Sequence, residues 1–308
     1  MKLSICIPVF NSENTIEKIV REIEMELSPH DLEFILVNDG STDKTESICI
    51  RLAQQQSSIR FLSLARNFGE HNAVMCALNH CTGDVAIIID DDFQNPPSEI
   101  IKLVNEIKSG NDVVYSEYKK KRHSLVRNLG SKFNNKVATW LLDKPPDLYL
   151  SSFKAIRRSI INEIIKYKGP FPYVDGLILR VTNSISTVVV DHKPRLEGRS
   201  NYNMSKLISL WLNMFINFSI KPLRFFTICG FVVSSVSILF LAFFIIEKII
   251  YPNTEPGWAS LMVAITFFSG LQLIFLGVVA EYIGKSYLTA NGTPQWVVKK
   301  DTLPSDVL

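Results

Sequence analysis

Residues 225–246 and 259–280 each run for about 22 residues without an Asp, Glu, Lys or Arg, enough to cross a ~30 Å hydrocarbon core. Runs this long exceed ordinary globular helices. Backbone N–H and C=O groups in lipid have to be paired inside their own segment, so two transmembrane helices are predicted. Lys206, Lys221 and Arg224 precede the first span, and Lys285, Lys299 and Lys300 follow the second. Residues 252–257 make a short connection with Lys248 as its flanking base. By the positive-inside rule both termini are expected in the cytoplasm, in a multi-pass protein of the cytoplasmic (inner) membrane. Leu207, Ile208, Trp211, Leu212, Phe215 and Ile216 recur at helical spacing just before the first span. They predict an amphipathic helix at the membrane interface, a periodicity that a core-facing helix shares.

Up to about residue 205, apolar and charged residues are mixed instead. Residues 3–9, 32–37, 59–64 and 85–89 read as short buried strands, the first too short for a signal-peptide core. Helical spacing fills the gaps: residues 15–27, a stretch carrying Ile48, Leu52 and Ala53 with Ser41 or Asp43 as its cap, and residues 70–81. Strands and helices in alternation predict right-handed crossovers, an α/β class and a mostly parallel sheet. The first ~115 residues thus read as a doubly wound nucleotide-binding half-domain. Beyond it, Val113-Val114-Tyr115 is apolar, residues 151–158 lead into a further helix, and residues 185–190 read as an edge strand. Cys6, Cys49, Cys76, Cys81 and Cys229 are odd in number and form no CxxC pair, which fits reduced thiols and argues against a zinc or disulfide framework. A net charge of +3 gives no reason to expect a nucleic-acid partner, and a homo-oligomer is left open.

The strand at residues 85–89 runs into Asp90-Asp91-Asp92-Phe93-Gln94-Asn95-Pro96-Pro97, whose prolines forbid continuation of the ladder. Three carboxylates at the carboxyl end of a buried strand lie where open α/β sheets bind ligands. Alternation along an extended segment lets Asp90 and Asp92 face one point while Asp91 faces away. Two hard oxygen donors suit Mg²⁺ or Mn²⁺ carrying a diphosphate. Asp39, beyond the second strand, converges on the same crevice as a reader of base or ribose, or serves as an Asx-turn residue. Arg66 of Arg66-Asn67-Phe68-Gly69 follows the third strand as a nucleotide contact or a surface arginine. The basic stretch with Lys119, Lys120, Lys121, Arg122, Arg127 and Lys132 is either a solvated face or a receiver of lipid-borne phosphate. Arg195, Arg199 and Ser200 sit in a glycine-containing loop that can clamp phosphate.

Taken together, these motifs resemble the family 2, GT-A fold glycosyltransferases that act on polyprenyl phosphates. The resemblance runs from Pro8-Val9-Phe10-Asn11 through Val37-Asn38-Asp39-Gly40-Ser41 and the Asp90–Pro97 motif to Glu281-Tyr282-Ile283-Gly284. It implies a cytoplasmic GT-A domain over residues 1–203, a juxtamembrane helix at 204–222, a transmembrane hairpin at 223–284 and a cytoplasmic tail at 285–308. It implies donor contacts from Pro8, Asn11, Asp39, Arg66, Asp90, Asp91, Arg195, Ser200 and Tyr202, with Asp39 on the base and Asp90 and Asp92 on the ribose and the metal diphosphate. The implied reaction is inverting transfer of a hexose from a nucleotide-sugar, UDP-linked, to undecaprenyl phosphate at the bilayer. Asp92 and Asp147 are the expected catalytic acids, and Arg122, Arg127 and Lys132 the expected acceptor-phosphate contacts. Asn38 stands where relatives often carry Asp, and Asn201 where they often carry Lys. Relatives place an acid before a Phe-Arg or Phe-Lys pair, and Asp147 aligns with it only across a gap. A polysaccharide acceptor, or a non-catalytic scaffold binding nucleotide-sugars, are the alternatives.

Overall fold

The computed structural model describes residues 1–118, 139, 144–193, 221–251 and 257–302. Apolar runs and amphipathic spacings alternate in it as β1 (Lys2–Val9), α1 (Ile16–Glu26), β2 (Asp31–Asn38), α2 (Thr45–Gln55), β3 (Ile59–Leu64), α3 (Glu70–His80) and β4 (Val85–Ile88). Then come α4 (Ile100–Lys108), β5 (Val113–Tyr118), β6 (Lys154–Arg157), α5 (Arg158–Ile164), α6 (Val174–Val181) and β7 (Ile185–Val190). Two long helices, α7 (Lys221–Ile250) and α8 (Trp258–Ala290), precede a last strand, β8 (Val298–Asp301).

The eight strands form one sheet in the order β7-β5-β6-β4-β1-β2-β3-β8. β1 is parallel to β2 and β4, and β2 to β3, as the crossovers require. Helices cover these strands, so Leu3, Ile5, Cys6 and Ile7 of β1 are buried in an unbroken run where a one-sided sheet would alternate. α1 packs on the face carrying Leu3, Ile5 and Ile7 through Ile16, Ile19, Val20 and Ile23, the i, i+3, i+4, i+7 stripe of an amphipathic helix. β2 and β3 lie on one side of β1 and β4 on the other, so the chain reverses its winding between β1 and β4. The carboxyl ends of those two strands flank the crevice where such sheets take ligands.

Two elements differ from the sequence reading. Residues 151–158 are expected only to lead into a helix, yet residues 154–157 form β6, antiparallel to both β4 and β5. Residues 285–308 are expected as a tail, whereas α8 continues to Ala290 and β8 pairs antiparallel with β3. The described residues fall into two compact units, one drawn from Met1–Met204 with Gly292–Leu308, the other from Ser205–Asn291. In the second unit, α7 and α8 have 30 and 33 residues and leave large apolar side chains such as Phe231 and Leu273 exposed. Their candidate spans, Leu223–Glu247 and Ser260–Ala290, are long and apolar enough to cross a bilayer. The amphipathic stretch at 204–220 and the basic stretch at 119–132 lie outside the described residues.

Candidate active site

Loops after β1, β2, β3 and β4 build the crevice, and hydrogen bonds weld them together. Asn11 adopts φ +55°, a left-handed conformation that Asn tolerates. Its N–H donates to Ser41 Oγ at 2.9 Å, and its Oδ1 accepts from Thr42 N at 2.9 Å. Ser41 thus serves the β1 loop; Lys44 and neither expected residue stands at the N-cap of α2, with Asp43 just before it accepting from Thr45 N at 3.0 Å. Pro8 lies past the last β4 partner of β1, so its missing N–H costs the ladder nothing on that side.

Asp39 is 4% exposed, and its carboxylate accepts from Phe68 N at 2.6 Å and Gly69 N at 2.9 Å. Burial raises its pKa, and those two backbone bonds oppose the rise. Each oxygen keeps a second lone pair for an incoming donor. Gly40, at φ +73°, passes so close to the next loop that a Cβ would lie 2.7 Å from Asn67 N. Arg66 is exposed, and its guanidinium rests over the Phe68 ring at 4.7 Å.

The acid loop is held at both ends. Asp90 Oδ2 accepts from Ser152 Oγ at 2.6 Å, and Asp92 Oδ1 accepts from Gln94 N at 3.0 Å. Between them Asp91 turns inward to Ser12, and burial followed by the charges of Asp90 and Asp92 raises its carboxyl to about 7. Phe93 sits at φ +59°, an uncommon conformation for an aromatic residue, with its ring in the core. Lys193 N donates to Gln94 O at 2.9 Å, tying the strand exit after β7 to this loop.

Behind Asp90 lies a buried charged group. Lys154 pairs with Asp175 and lies 5.1 Å from the Tyr115 ring centre, and Tyr115 Oη donates to Asp175 Oδ1 at 2.9 Å. Glu70, exposed at the first turn of α3, has its pKa raised by surrounding protein and then by Asp90. Asp90, Asp91, Asp92 and Glu70 therefore crowd together, while Lys154, a cation beside them, is already committed to Asp175. Among the described residues, no set of three or more His, Cys, Asp or Glu encloses a metal ion. Two carboxylates do fit a Mg²⁺ or Mn²⁺ whose remaining ligands are phosphate oxygens and water.

Asp147 lies in the connection between β5 and β6. It is exposed in a turn closed by Leu148 N to Pro145 O, at 3.1 Å, with Lys144 as its charged neighbour. The residue directly before the Phe153-Lys154 pair is Ser152, and it is Ser152 that touches Asp90. Ser152 and Glu70 escape sequence reasoning because a serine and a helix-start glutamate carry no signal of their own; adjacency to Phe153-Lys154 was the available clue. Arg122, Arg127, Lys132, Arg195, Ser200 and Tyr202 lie outside the described residues.

A doubly wound sheet with an Asp-x-Asp loop at its switch point is the architecture of the GT-A glycosyltransferases. The pattern of Glycosyl transferase family 2 matches residues 4–165, and the chain belongs to that family; it is a glycosyltransferase. It is 35% identical to the bactoprenol glucosyl transferase of Shigella phage SfX, over 97% of this chain and 99% of that one. It is 31% identical to the undecaprenyl-phosphate 4-deoxy-4-formamido-L-arabinose transferase of Pseudomonas fluorescens, covering 97% of this chain and 89% of that one. Among solved structures, glucosyl-3-phosphoglycerate synthase from Mycobacterium tuberculosis with Mn²⁺, UDP and phosphoglyceric acid shares the fold. The TM-score is 0.51 at 22% identity, over 68% of this chain and 74% of that one.

Proposed function

We propose that the chain transfers a hexose from a UDP-linked sugar to undecaprenyl phosphate at the cytoplasmic face of the inner membrane, with inversion and with a divalent cation. The observation that carries this reading is the acid loop at the β1/β4 switch point, in a chain alike over nearly its whole length to a bactoprenol glucosyl transferase. The crowded carboxylates favour a cation there, since a diphosphate would otherwise meet unneutralised charge. Asp90 and Asp92 would hold Mg²⁺ or Mn²⁺, which when bound supplies charge neutralisation for the departing diphosphate. Asp39 and Arg66 would read the nucleotide. Arg195, Ser200 and Tyr202 would clamp the diphosphate. Arg122, Arg127 and Lys132 would receive the acceptor phosphate. That phosphate is already ionised and attacks the anomeric carbon in line, so positioning carries the step and no base is required of Asp147.

The test is Asp92→Ala in cytoplasmic membranes supplied with undecaprenyl phosphate, Mn²⁺ and a panel of radiolabelled nucleotide-sugars. Label should enter the organic-extractable lipid with the unaltered chain and fall by about a hundredfold or more in the variant. Undiminished labelling would overturn the assignment, and label in polymer with none in lipid would replace the acceptor.

A further inference from the structure

A polar chain runs from β8 to the loop that carries Asp39. Lys300 Nζ pairs with Glu46 Oε1. Ser63 Oγ donates to Glu46 Oε2 at 2.9 Å, Asn38 Nδ2 donates to Ser63 Oγ at 3.1 Å, and Ser41 N donates to Asn38 Oδ1 at 3.0 Å. Ser63 and Asn38 are each 1% exposed, so water does not substitute for a lost partner. The direction of every bond follows from chemistry. An ionised Glu46 only accepts, so the single Ser63 hydroxyl proton is committed to it. Ser63 can then only accept from residue 38, which requires an N–H there, and of Asn and Asp only the amide provides one. With its amide so fixed, Asn38 presents Oδ1 to Ser41 N and holds the turn on which Asp39 stands.

β8 and the residues flanking it support the same edge at other points. Arg60 grips Asp301 through Nε at 3.1 Å and Nη2 at 2.7 Å, Phe61 N donates to Thr302 Oγ1 at 2.9 Å, and Ala65 N donates to Val297 O at 2.8 Å. The last bond lies one residue before Arg66.

We infer that Lys300, Glu46, Ser63 and Asn38 are positioning residues for donor binding, through which the segment following the second apolar helix sets the Asn38–Ser41 turn. The inference rests on the proposed role of the Asp39 and Arg66 loops in holding the nucleotide.

Purified full-length variants are titrated with UDP in the presence of Mn²⁺. Asn38→Asp should weaken UDP binding about tenfold, because two carboxylates then compete for one hydroxyl proton. Adding Glu46→Gln to it should restore affinity to within about threefold, since the glutamine amide donates to Ser63 and frees the hydroxyl proton for the carboxylate introduced at position 38. Lys300→Ala should weaken UDP about threefold, as expected of a partly exposed ion pair. In turnover, Asn38→Asp should raise KM for the nucleotide-sugar and leave KM for undecaprenyl phosphate unchanged. A purely structural role would lower the active fraction and the melting temperature without this split or the paired rescue. Unaltered UDP affinity in Asn38→Asp, or a double variant no better than the single one, would overturn the inference. Arg66→Ala separates the two readings: if it leaves UDP affinity unchanged, the nucleotide assignment itself falls, whereas if it weakens UDP and Asn38→Asp does not, only the relay falls.

Discussion

At Glu33, on the amino side of the sheet, donors from Lys2, Ser4, Thr82 and Gly83 converge on one carboxylate that is 13% exposed. Burial alone would raise its pKa, but hydrogen bonds from Ser4, Thr82 and Lys2 outweigh it and hold it at about 2. A group depressed in the folded state stabilises above its unfolded pKa near ~4.3 and loses that contribution as pH falls toward the folded value. Glu33→Gln should therefore melt lower than the unaltered chain at pH 7, with the gap narrowing between about pH 4.5 and about pH 2. Melting curves at pH 7, 4 and 3 check this, and a gap independent of pH would contradict it. None of this was legible beforehand, because the partners come from β1 and the α3–β4 turn. The same holds at Ser152: the acid triplet could be read from a buried strand stopped by two prolines, but the serine against Asp90 depends on where β6 docks.

At the scale of elements, β1 through β4 and their helices were legible because unbroken apolar strands and 3.6-residue stripes are local signals. β6 was not, since its four residues, Lys-Ala-Ile-Arg, have too short a pattern and owe their strand form to pairing with β4 and β5. β8 was hidden for a different reason. Three of its four residues are charged, as suits the exposed edge of a sheet, and its partner β3 is distant in sequence. Lys299 and Lys300, counted as charges flanking the second span, belong to this strand. The turn after β2 shows the tolerance of such junctions. A methyl group at Gly40 would lie 2.7 Å from Asn67 N and 2.8 Å from Arg66 C, at a φ that L-residues disfavour. Gly40→Ala should cost about 1–3 kcal/mol of stability and raise KM for the donor, measured by melting and by donor titration. A variant that melts and binds like the unaltered chain would show that this contact relaxes without cost.

For the whole molecule, β8 constrains how the chain meets a membrane. β3 precedes α7 and α8 in the chain and β8 follows them, yet the two strands are hydrogen-bonded neighbours in one sheet. A chain that leaves an aqueous compartment and returns to pair with its own sheet crosses an even number of times. Two candidate spans satisfy that condition, independently of the charge bias from which both ends were assigned to one side. The connection between α7 and α8 should then lie on the opposite face. In a Cys229→Ser background, where the remaining cysteines are buried, Asn253→Cys should react with an impermeant maleimide applied to cells whose inner membrane is intact and whose outer barrier is opened. Lys299→Cys, exposed on β8, should react only after the inner membrane is permeabilised. Labelling of both positions from the same side would mean that the hairpin does not cross the bilayer. Lys299→Cys labelled from outside, with Asn253→Cys protected, would place the transferase unit on the face opposite to the one proposed.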